Sequence, residues 1–530
     1  MTTTTFIDNS TLITAAWLNS VNQRVYADDV FITDPTFGYV SGSFTVSAAV
    51  AQAAINATQG TTRRLVVPGN ISLNLATTGL SITAALKFIA IGGRDSNVVS
   101  WTSTTMVAIS VATTSSVIIE GFHFTAPGSC TAGGCIKLDG NGGTPNSFST
   151  VKDNTFSGGY IQVDTGSAYA YSVQHNYFTS FVNMGINVQN TLVPDAGDSS
   201  IHDNIFANAS SAVACINHQS SGGLRIINNK CNTAQYSYRL QLTGATSDLV
   251  FVGNSCENFS VAGMGFFRTS GSFNNIVIAG NQMALGPSGI LMNDASAFFS
   301  TAVISGNVLT ALTNSGIVID NASDIALTGN TIIGMGGATV AGISLSAACT
   351  GVTMGPNKIR AFATPIVNNS TSGNITGFTR PANLQTTGTA APVDLNENIL
   401  FTAKIPAGAM GTAGAIKLYL AFAHTANANV KTLRVRLGGI GGTVVWSALP
   451  GATSASTTRA QIVIGNSGAA NSQVSTAMTQ IDAVMQNVGA IASAIDTSVA
   501  TTLVVTCQKA TVAGDSIVLQ NATAEIASMV

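Results

Sequence analysis

Between residues 150 and 360 one short pattern of apolar and polar positions recurs along the chain. Each copy has apolar residues alternating with polar ones, then an Asn, then another apolar residue two positions later. Successive Asn residues are separated by 22 to 28 positions. Because the alternation has a period of two, each copy predicts short β-strands rather than a helix. The nine residues are Asn154, Asn176, Asn204, Asn229, Asn254, Asn281, Asn307, Asn330 and Asn357.

Repetition at this spacing is typical of a β-solenoid, in which each copy forms one turn of a coil. The position two residues after each Asn is apolar in every copy, from Phe156 to Ile359, and is predicted to face the interior. This placement also predicts that Cys231 and Cys256 are core thiols. The Asn side chains are predicted to form a ladder, each bonded to backbone or to the next Asn about 4.8 Å along the axis.

The position before most of the Asn residues holds a residue that tolerates a positive φ angle, which predicts a left-handed bend between two strands. In the first three copies this residue is Asp153, His175 or Asp203. These side chains would stack on successive turns, and the two carboxylates would then approach the roughly 6.5–9.5 Å separation of an inverting glycosidase. Two interpretations of this column remain open: backbone geometry alone, or a functional cluster.

A second strand in each copy presents polar residues at alternating positions. With Val163 and Ile186 facing inward, the outward set on four adjacent turns consists of amides and one carboxylate. Asn and Gln are poor strand formers compared with Thr, whereas sugar hydroxyls need groups that both donate and accept hydrogen bonds. The array is either a sugar-binding platform or an ordinary solvated face. The predicted substrate-binding residues are Gln162, Asn187, Gln189, Asn217 and Gln241.

Charged residues make up only 8% of the chain, against roughly 25% in ordinary soluble domains, while the hydrophobic fraction is 45%. A formal net charge of -2 without a basic run argues against nucleic acid or an anionic membrane as the partner. A neutral surface rich in hydroxyl and amide groups suits carbohydrate better. The seven Cys residues lack the spacing of metal ligands, so we expect free thiols, no metal and no cofactor.

The segment before the repeats combines a helix signal with a strand. Ser47 can cap a helix over residues 47–58, and a strand follows from Arg64 to Val67. This segment, with its Gly turn and the "VVPGN" that closes the strand, resembles the capping helix and first coil of the pectate-lyase-like superfamily. Together with the nine repeats the resemblance covers residues 41–375. It implies a right-handed, single-stranded parallel β-helix.

Residues 1–40, with "TTTTFIDNSTLITAAWLNSVNQRVYADD", resemble the short N-terminal segment found on many phage tailspikes and tail fibres. Thr14 can cap a helical turn with Trp17, Leu18 and Val21 on one side. The resemblance implies that this segment attaches the protein to the virion through phage tail or adaptor proteins. The alternative is an ordinary amphipathic helix.

After the repeats, residues 376–393 are rich in Thr, Gly and Pro and are interpreted as a linker. Residues 394–530 contain short alternating strands separated by turns, which predicts an antiparallel β-sandwich and hence an all-β chain. The run that begins at Leu400 resembles a C-terminal module of phage virion proteins, used there for trimer contacts or receptor engagement.

The three parts together resemble a bacteriophage tailspike, a homotrimeric virion protein of the tail. The resemblance implies recognition, and cleavage, of a host surface polysaccharide such as O-antigen or capsule during adsorption. A non-catalytic receptor-binding fibre of the same architecture is the alternative. A secreted adhesin or lyase is a third hypothesis, disfavoured because the start of the chain lacks signal-peptide features; synthesis in the host cytoplasm is therefore expected.

Tailspikes that cleave glycans use carboxylates as general acid and base. The catalytic candidates here are Asp164, which lies in the amide array, with Asp294 and Asp320 on two later strand faces. No column combines three acids with an Arg, so a glycoside hydrolase is favoured over a calcium-dependent lyase.

Overall fold

The structure, a computed structural model, consists almost entirely of β-strands. A parallel β-solenoid of about 11 turns is followed by antiparallel sheet, which confirms the predicted all-β fold class. The structure describes residues 28–93, 95–189, 198–219, 222–242, 246–268, 272–292, 298–369, 378–385, 388–405, 408–450, 456–512 and 514–528. These form two compact units, the first containing the described residues up to 299 with 307–317 and 334–338, and the second containing the rest.

One turn of the solenoid in the first unit contains three short strands joined by bends. In the turn that carries Asn154 these strands are Thr150–Lys152, Thr155–Ser157 and Ile161–Asp164. Each pairs in parallel with the corresponding strand of the next turn. Side chains at equivalent positions therefore stack in columns along the coil. The strand before the Asn, the strand after it and the third strand belong to three surfaces, named here face 1, face 2 and face 3.

The strands of the first unit follow this plan throughout. Face 1 contains Asp29–Phe31, Arg64–Val67, Leu86–Ala90, Val117–Glu120, Thr150–Lys152, Ser172–Gln174, Ser199–His202, Leu224–Ile227, Thr246–Val252 and Ser272–Ala279. Face 2 contains Thr45–Ser47, Ser72–Ala76, Val98–Trp101, His123–Thr125, Thr155–Ser157, Tyr177–Thr179, Ile205–Ala207, Lys230–Asn232 and Ser255–Glu257. Face 3 contains Leu80–Ile82, Val107–Ala112, Gly134–Asp139, Ile161–Asp164, Met184–Val188, Ala214–His218, Tyr236–Leu242 and Ala262–Arg268, and Gln282–Met292 runs through faces 2 and 3. A separate two-stranded ribbon joins Asn146–Ser147 to Ala168–Tyr169.

The predicted Asn ladder is present, and Asn204 illustrates its bonding. The Asn204 side-chain oxygen accepts hydrogen bonds from the backbone N–H and the side-chain amide of Asn176, both 3.0 Å long. The Asn204 amide donates to Asn229 Oδ1 at 3.0 Å and to the carbonyl oxygens of Val173 and His202. Every donor and acceptor of this side chain is thus used within the coil.

The same pair of bonds links the other Asn residues, each to the next, from Asn154 to Asn307 and again from Asn330 to Asn357. The side chains from Asn154 to Asn330 are completely or almost completely buried. Asn154 also accepts a 3.0 Å bond from the N–H of Phe122, which stands where a tenth Asn would be.

The left-handed bend is confirmed in eight of the nine copies. At these positions φ lies between 54° and 68°, and Pro356 in the ninth copy is the exception because its ring holds φ negative. A positive φ favours Gly, Asn, Asp and His, which are the residue types found in this column. The eight residues are Asp153, His175, Asp203, Asn228, Gly253, Gly280, Gly306 and Gly329.

The column two residues after the Asn forms the interior, as predicted. Phe124, Phe156, Phe178 and Phe206 stack with centroid separations of 4.6 to 5.0 Å and interplanar angles of 7° to 12°. The column continues on later turns with fully buried Cys and Met side chains. All seven Cys residues are buried and free, which agrees with their prediction as thiols.

The predicted capping helix spans Ala48–Thr58. Ser47 Oγ accepts from the Val50 N–H at 3.4 Å, and the helix buries Ala51, Ala54 and Ile55 against the first strands. A short 3₁₀ turn, Pro35–Phe37, precedes it. Within the described residues no helix is long and apolar enough to cross a membrane.

Further strands between residues 298 and 368 alternate with the same bends. They are Phe298–Ser305, Val308–Ile319, Ala322–Thr328, Thr331–Leu345, Thr353–Met354 and Lys358–Asn368.

The C-terminal part of the second unit is antiparallel, as predicted. One sheet contains Phe378–Gln385, Thr389–Ala390, Ala415–His424, Thr457–Asn466, Gln473–Ile481, Val484–Ser493 and Ile517–Ser528. The other contains Asn398–Ile405, Lys431–Leu437, Thr443–Ala448 and Thr501–Lys509. Apolar side chains from both sheets share one core, in which Trp446 is fully buried and donates its indole N–H to Thr479 Oγ1 at 2.9 Å.

Part of the segment predicted as a linker, residues 376–393, is a strand instead. Phe378–Gln385 pairs antiparallel with Ile517–Ser528, with a register shift between Pro381 and Asn383. The segment is rich in Thr, Gly and Pro, a composition typical of loops, so the sequence pattern does not predict this strand. The pairing partner lies more than a hundred residues away in the chain and supplies the hydrogen bonds that define it.

We expect the Asn204→Ala substitution to lower the free energy of unfolding by about 2–4 kcal/mol, because it leaves the buried donors of Asn176 without an acceptor. Guanidinium unfolding followed by fluorescence measures the change. Asn314→Ala is the matched control, since Asn314 is exposed on a strand and should cost little. Equal losses in the two variants would contradict a stabilising role for the ladder.

Candidate functional site

Face 3 carries a column of polar side chains that are directed away from the interior. The parallel register places Lys137, Asp164, Asn187, Asn217 and Arg239 beside one another on five successive turns. Each of these residues follows a buried apolar residue of its own strand, so alternation directs it outward. We call these five residues the polar strip.

Asp164 is the centre of hydrogen bonding in the polar strip. Its Oδ1 accepts from the Gly166 N–H at 3.1 Å, and Gln189 Nε2 lies 3.1 and 3.0 Å from its two oxygens. Asn187 Nδ2 lies 3.4 Å from Oδ1. Burial nevertheless raises the pKa of the Asp164 carboxyl above its usual value, because desolvation outweighs these donors and the nearby Lys137. A carboxyl in this environment keeps a proton to higher pH than an ordinary Asp.

A second carboxylate lies beside Asp164. Asp139 is two residues beyond Lys137 on the same strand, and Lys137 Nζ is 2.7 Å from Asp139 Oδ2. This contact raises the pKa of Lys137, and the Asp139 charge contributes to the raised pKa of Asp164. A cavity of about 280 Å³ is lined by Lys137 and Asp164 together with Thr105 and Val107. The cavity gives a ligand access to the Asp164 carboxyl and to the Lys137 ammonium, whose ion-pair partner is Asp139. Two acids whose surroundings differ are the usual basis of acid–base catalysis by a carboxyl pair.

Asp139 is not among the acids predicted from the sequence. It precedes the first Asn of the repeat, so alignment on the Asn column does not include it. The alternation of Lys137 and Asp139 in the strand Gly134–Asp139 is a signal that could have found it. An added Cβ at Gly166 would lie 2.2 Å from Asp139 Oδ1, so any larger residue there would displace the Asp139 carboxylate.

Two of the amides predicted to bind substrate are engaged with one another. Asn217 Nδ2 donates to Asn187 Oδ1 at 2.9 Å, and Arg239 lies 3.4 Å from Asn217 Oδ1. Both Asn side chains are buried, whereas Gln189 and Gln241 are half-buried. The chain of bonds from Asn217 through Asn187 ends at Asp164, so these amides orient the carboxylate.

Gln162 lies elsewhere than the alternation predicts. Gln162 and Val163 are both completely buried, which breaks the strict in–out pattern at the start of the strand. The Gln162 amide donates to the carbonyl oxygens of Gly158 and Thr179, both at 2.7 Å. The predicted outward orientation of Gln162 is therefore wrong: the chain bends from face 2 to face 3 here, and the amide satisfies the carbonyls of the bend.

The remaining predicted site residues belong to other parts of the chain. Asp294 and the proposed attachment residues Trp17, Leu18 and Val21 lie outside the described residues. Asp320 belongs to the second unit, where it is half-buried and its backbone carbonyl accepts a hydrogen bond from Ser346 Oγ.

Comparison with protein families gives one partial match. Residues 170–377 match a family described as periplasmic copper-binding protein (NosD), which is less than half of the chain. No curated protein matches the chain in sequence. Within the part of the chain that the structure describes, no three His, Cys, Asp or Glu side chains lie where they could hold a metal ion.

Several solved structures are similar in fold. The tailspike protein of Acinetobacter phage vB_ApiP_P1 is 12% identical with a TM-score of 0.36, over 95% of this chain and 87% of that one. A tailspike variant of E. coli bacteriophage HK620 in complex with a pentasaccharide is 12% identical with a TM-score of 0.41, over 91% and 94%. The catalytic unit of a GH87 α-1,3-glucanase from Streptomyces thermodiastaticus is 14% identical with a TM-score of 0.37, over 63% and 69%. At these identities and TM-scores no residue role carries over to this chain.

One histidine lies inside the solenoid without a hydrogen bond. His218 follows Asn217 and occupies the inward column between Val188 and Leu240. Its side chain is buried, and neither ring nitrogen has a partner. Burial lowers the pKa of His218 to about 3, because a charged imidazole would be desolvated there.

We expect His218 to make the fold sensitive to acid. Its pKa falls from 6.5 to about 3 on folding, so the unfolded chain binds the extra proton between those values. Stability is therefore lost as pH falls from about 6.5 towards 3, by up to about 1.4 kcal/mol per pH unit. His218→Leu should reduce this slope in unfolding experiments at stepped pH, whereas His175→Asn, at an exposed site, should keep it. A slope that does not change in His218→Leu would contradict this account.

Proposed function

We propose that this protein binds a host surface polysaccharide along the polar strip and hydrolyses it, as a tailspike does. The observation that carries the proposal is the carboxyl of Asp164, whose pKa is raised by burial, beside the Lys137–Asp139 ion pair at an accessible cavity. The amide-rich surroundings, which have no excess of positive charge, suit a sugar polymer rather than nucleic acid.

In this proposal Asp164 is the general acid. A carboxyl with a raised pKa keeps its proton to higher pH than an ordinary Asp and can transfer it to the glycosidic oxygen as the bond to the leaving sugar breaks. The donors from Gln189, Asn187 and the Gly166 N–H hold the group in one orientation and stabilise the carboxylate that remains after transfer. Gln189 and Gln241, being half-buried, are the amides of the original set that can still reach a sugar hydroxyl.

Asp139 is the partner carboxylate. Lys137 Nζ, 2.7 Å away, orients the Asp139 carboxylate, which can activate a water molecule or stabilise positive charge that develops on the sugar. The Lys137 ammonium also gives the cavity a donor for a hydroxyl or for an acidic sugar. Asp294 and Asp320 remain proposals for catalytic residues at other turns.

The assembly and location are further parts of the proposal. A homotrimer in the virion tail, attached through residues 1–40 with Trp17, Leu18 and Val21, would present three such strips to the cell surface. Synthesis in the host cytoplasm and use of the C-terminal sandwich for trimer contact or receptor engagement belong to the same proposal. The antiparallel sandwich has its own buried core, which is what an independent module needs.

The Asp164→Asn variant should release reducing ends from a panel of purified bacterial surface polysaccharides about a hundredfold or more slowly than the wild type, because it has no proton to donate. Binding to the same glycan on a biosensor should persist. Asp248→Asn, a change at an exposed carboxylate outside the strip, is the control and should cleave normally.

The results of these assays distinguish a polysaccharide hydrolase from a non-catalytic receptor-binding fibre. Wild-type binding without release of reducing ends would support the non-catalytic receptor-binding fibre. Cleavage that survives in Asp164→Asn would remove Asp164 from the mechanism. The absence of both binding and cleavage across the panel would contradict glycan recognition altogether.

Deletion of residues 1–27, which contain Trp17, Leu18 and Val21 and precede the first strand at Asp29–Phe31, should abolish incorporation of the protein into phage particles while leaving its glycan binding and its oligomeric state in light scattering unchanged. Fusion of the same residues to a reporter should place the reporter on particles. A deleted protein that still enters virions would contradict the attachment role, and a monomeric mass for the full chain would contradict the trimer.

A further inference from the structure

Face 1 holds a second group of reactive side chains, separate from the polar strip. Ser172 Oγ lies 3.4 Å from His202 Nε2, and His202 Nδ1 lies 2.8 Å from Asp203 Oδ2. A hydroxyl, an imidazole and a carboxylate linked in this order form the arrangement that activates a serine as a nucleophile. We propose that Ser172, His202 and Asp203 form a serine esterase site that removes short acyl groups from ester-bearing substrates.

The fold explains how three residues of two neighbouring turns meet. Ser172 pairs with Ser200, and Gln174 pairs with His202, so His202 is a diagonal neighbour of Ser172 on the outer surface of face 1. Adjacent residues of a regular strand point to opposite sides, and Asp203 would then face away from His202. The left-handed φ of 57° at Asp203 ends the strand and brings its carboxylate to the imidazole.

The hydrogen bonds also fix the state of the imidazole. A carboxylate can only accept, so His202 Nδ1 donates to Asp203, and in the neutral imidazole Nε2 then keeps a lone pair towards the Ser172 hydroxyl. His175 Nε2 is 3.7 Å from the same Asp203 oxygen, beyond hydrogen-bond distance, which leaves His202 as the partner. The His202 side chain is 26% exposed and Ser172 is half-buried, so a substrate can reach both.

A positive charge lies on the other side of the serine. Thr150 pairs with Ser172 and Lys152 with Gln174, which makes Lys152 the diagonal neighbour of Ser172 on the turn before. Its ammonium group is 3.0 Å from Glu120 and remains partly exposed. In the described conformation Glu120 holds this ammonium group, which must leave the ion pair to stabilise the negative oxygen that develops when a serine attacks a carbonyl group.

The reaction follows from these positions. Ser172 Oγ bonds to the ester carbonyl carbon while its proton passes to His202 Nε2. The bond between that carbon and the alcohol oxygen then breaks, and the alcohol leaves with the proton from His202. A water molecule, losing its proton to His202, attacks the acyl-serine, and the carboxylic acid leaves as Ser172 recovers its proton.

The neighbours of Ser172 indicate the size of the acyl group. Thr150, Ser200 and Gln174 surround it on the open surface, and Ser200 Oγ donates to Ser172 Oγ at 3.4 Å. None of these side chains offers an apolar surface for a long chain, so an acetyl group fits best. The assignment of the alcohol as a sugar hydroxyl of a polymer rests on the proposed function, whereas the acyl transfer itself does not.

Two assays with the full-length protein test the site without any polysaccharide. The wild type should hydrolyse 4-nitrophenyl acetate, and diisopropyl fluorophosphate should add to Ser172, as located by peptide mass spectrometry. Ser172→Ala should lower the hydrolysis about a hundredfold or more and abolish the labelling. The matched control is Ser247→Ala, since Ser247 bonds to Asp248 on the same face without a histidine, and it should behave as wild type.

The carboxylate has its own test. Asn can adopt the bend, as Asn228 does with a φ of 54° in the same column, so Asp203→Asn keeps the backbone but replaces the carboxylate with a neutral amide. The amide no longer stabilises the imidazolium that forms when His202 takes the serine proton. The substitution should lower kcat while KM stays within about twofold of the wild type. The proposal would be overturned if Ser172→Ala hydrolysed 4-nitrophenyl acetate as fast as the wild type, or if diisopropyl fluorophosphate labelled a residue other than Ser172. An unchanged kcat in Asp203→Asn would overturn it as well. Because neither assay involves a glycan, such a result leaves the hydrolase proposal to its own test.

Discussion

The solenoid depends on one buried interaction, the amide ladder that joins each turn to the next. A bend in the interior of a coil leaves backbone N–H and C=O groups that no strand can satisfy, and an apolar side chain there would leave them unpaired. Each Asn supplies an acceptor for the previous turn and donors for two carbonyls, as Asn204 does. The ladder therefore fixes both the position of the bend and the register of the strands on either side of it.

This register determines what the surface can contain. Because equivalent positions stack at the spacing of neighbouring strands, one residue choice per turn produces a line of side chains, and functional groups from distant parts of the chain become neighbours. The polar strip on face 3 arises in this way from Lys137, Asp164 and Asn187. The group around Ser172 on face 1 arises from the turns before and after it. Although the chain has few charged residues, the stacking of turns places some of them in contact, as with Lys137 and Asp139.

Burial and hydrogen bonding then decide the chemistry of each position. Asp164 has a raised pKa because it is desolvated, although Gln189 and Gly166 donate to it. Asn217 belongs to the same column but is covered by its neighbours, so it acts on Asp164 through Asn187 rather than on a ligand. His218, one residue further along the same strand, faces the interior and has no polar partner.

The sequence by itself determined the repeat, the inward column and the bends, because these depend on local periodicity and on φ angles that only a few residue types tolerate. Asn154 and Phe156 could be placed from their spacing alone, and so could the helix that begins after Ser47. Only the tertiary structure decided which polar groups meet. The orientation of Gln162 depends on the bend between two faces, the closeness of Asp139 to Asp164 depends on the pairing of two turns, and the strand at 378–385 depends on a partner at the far end of the chain. These are contacts between residues far apart in the chain, and a local pattern contains no information about them.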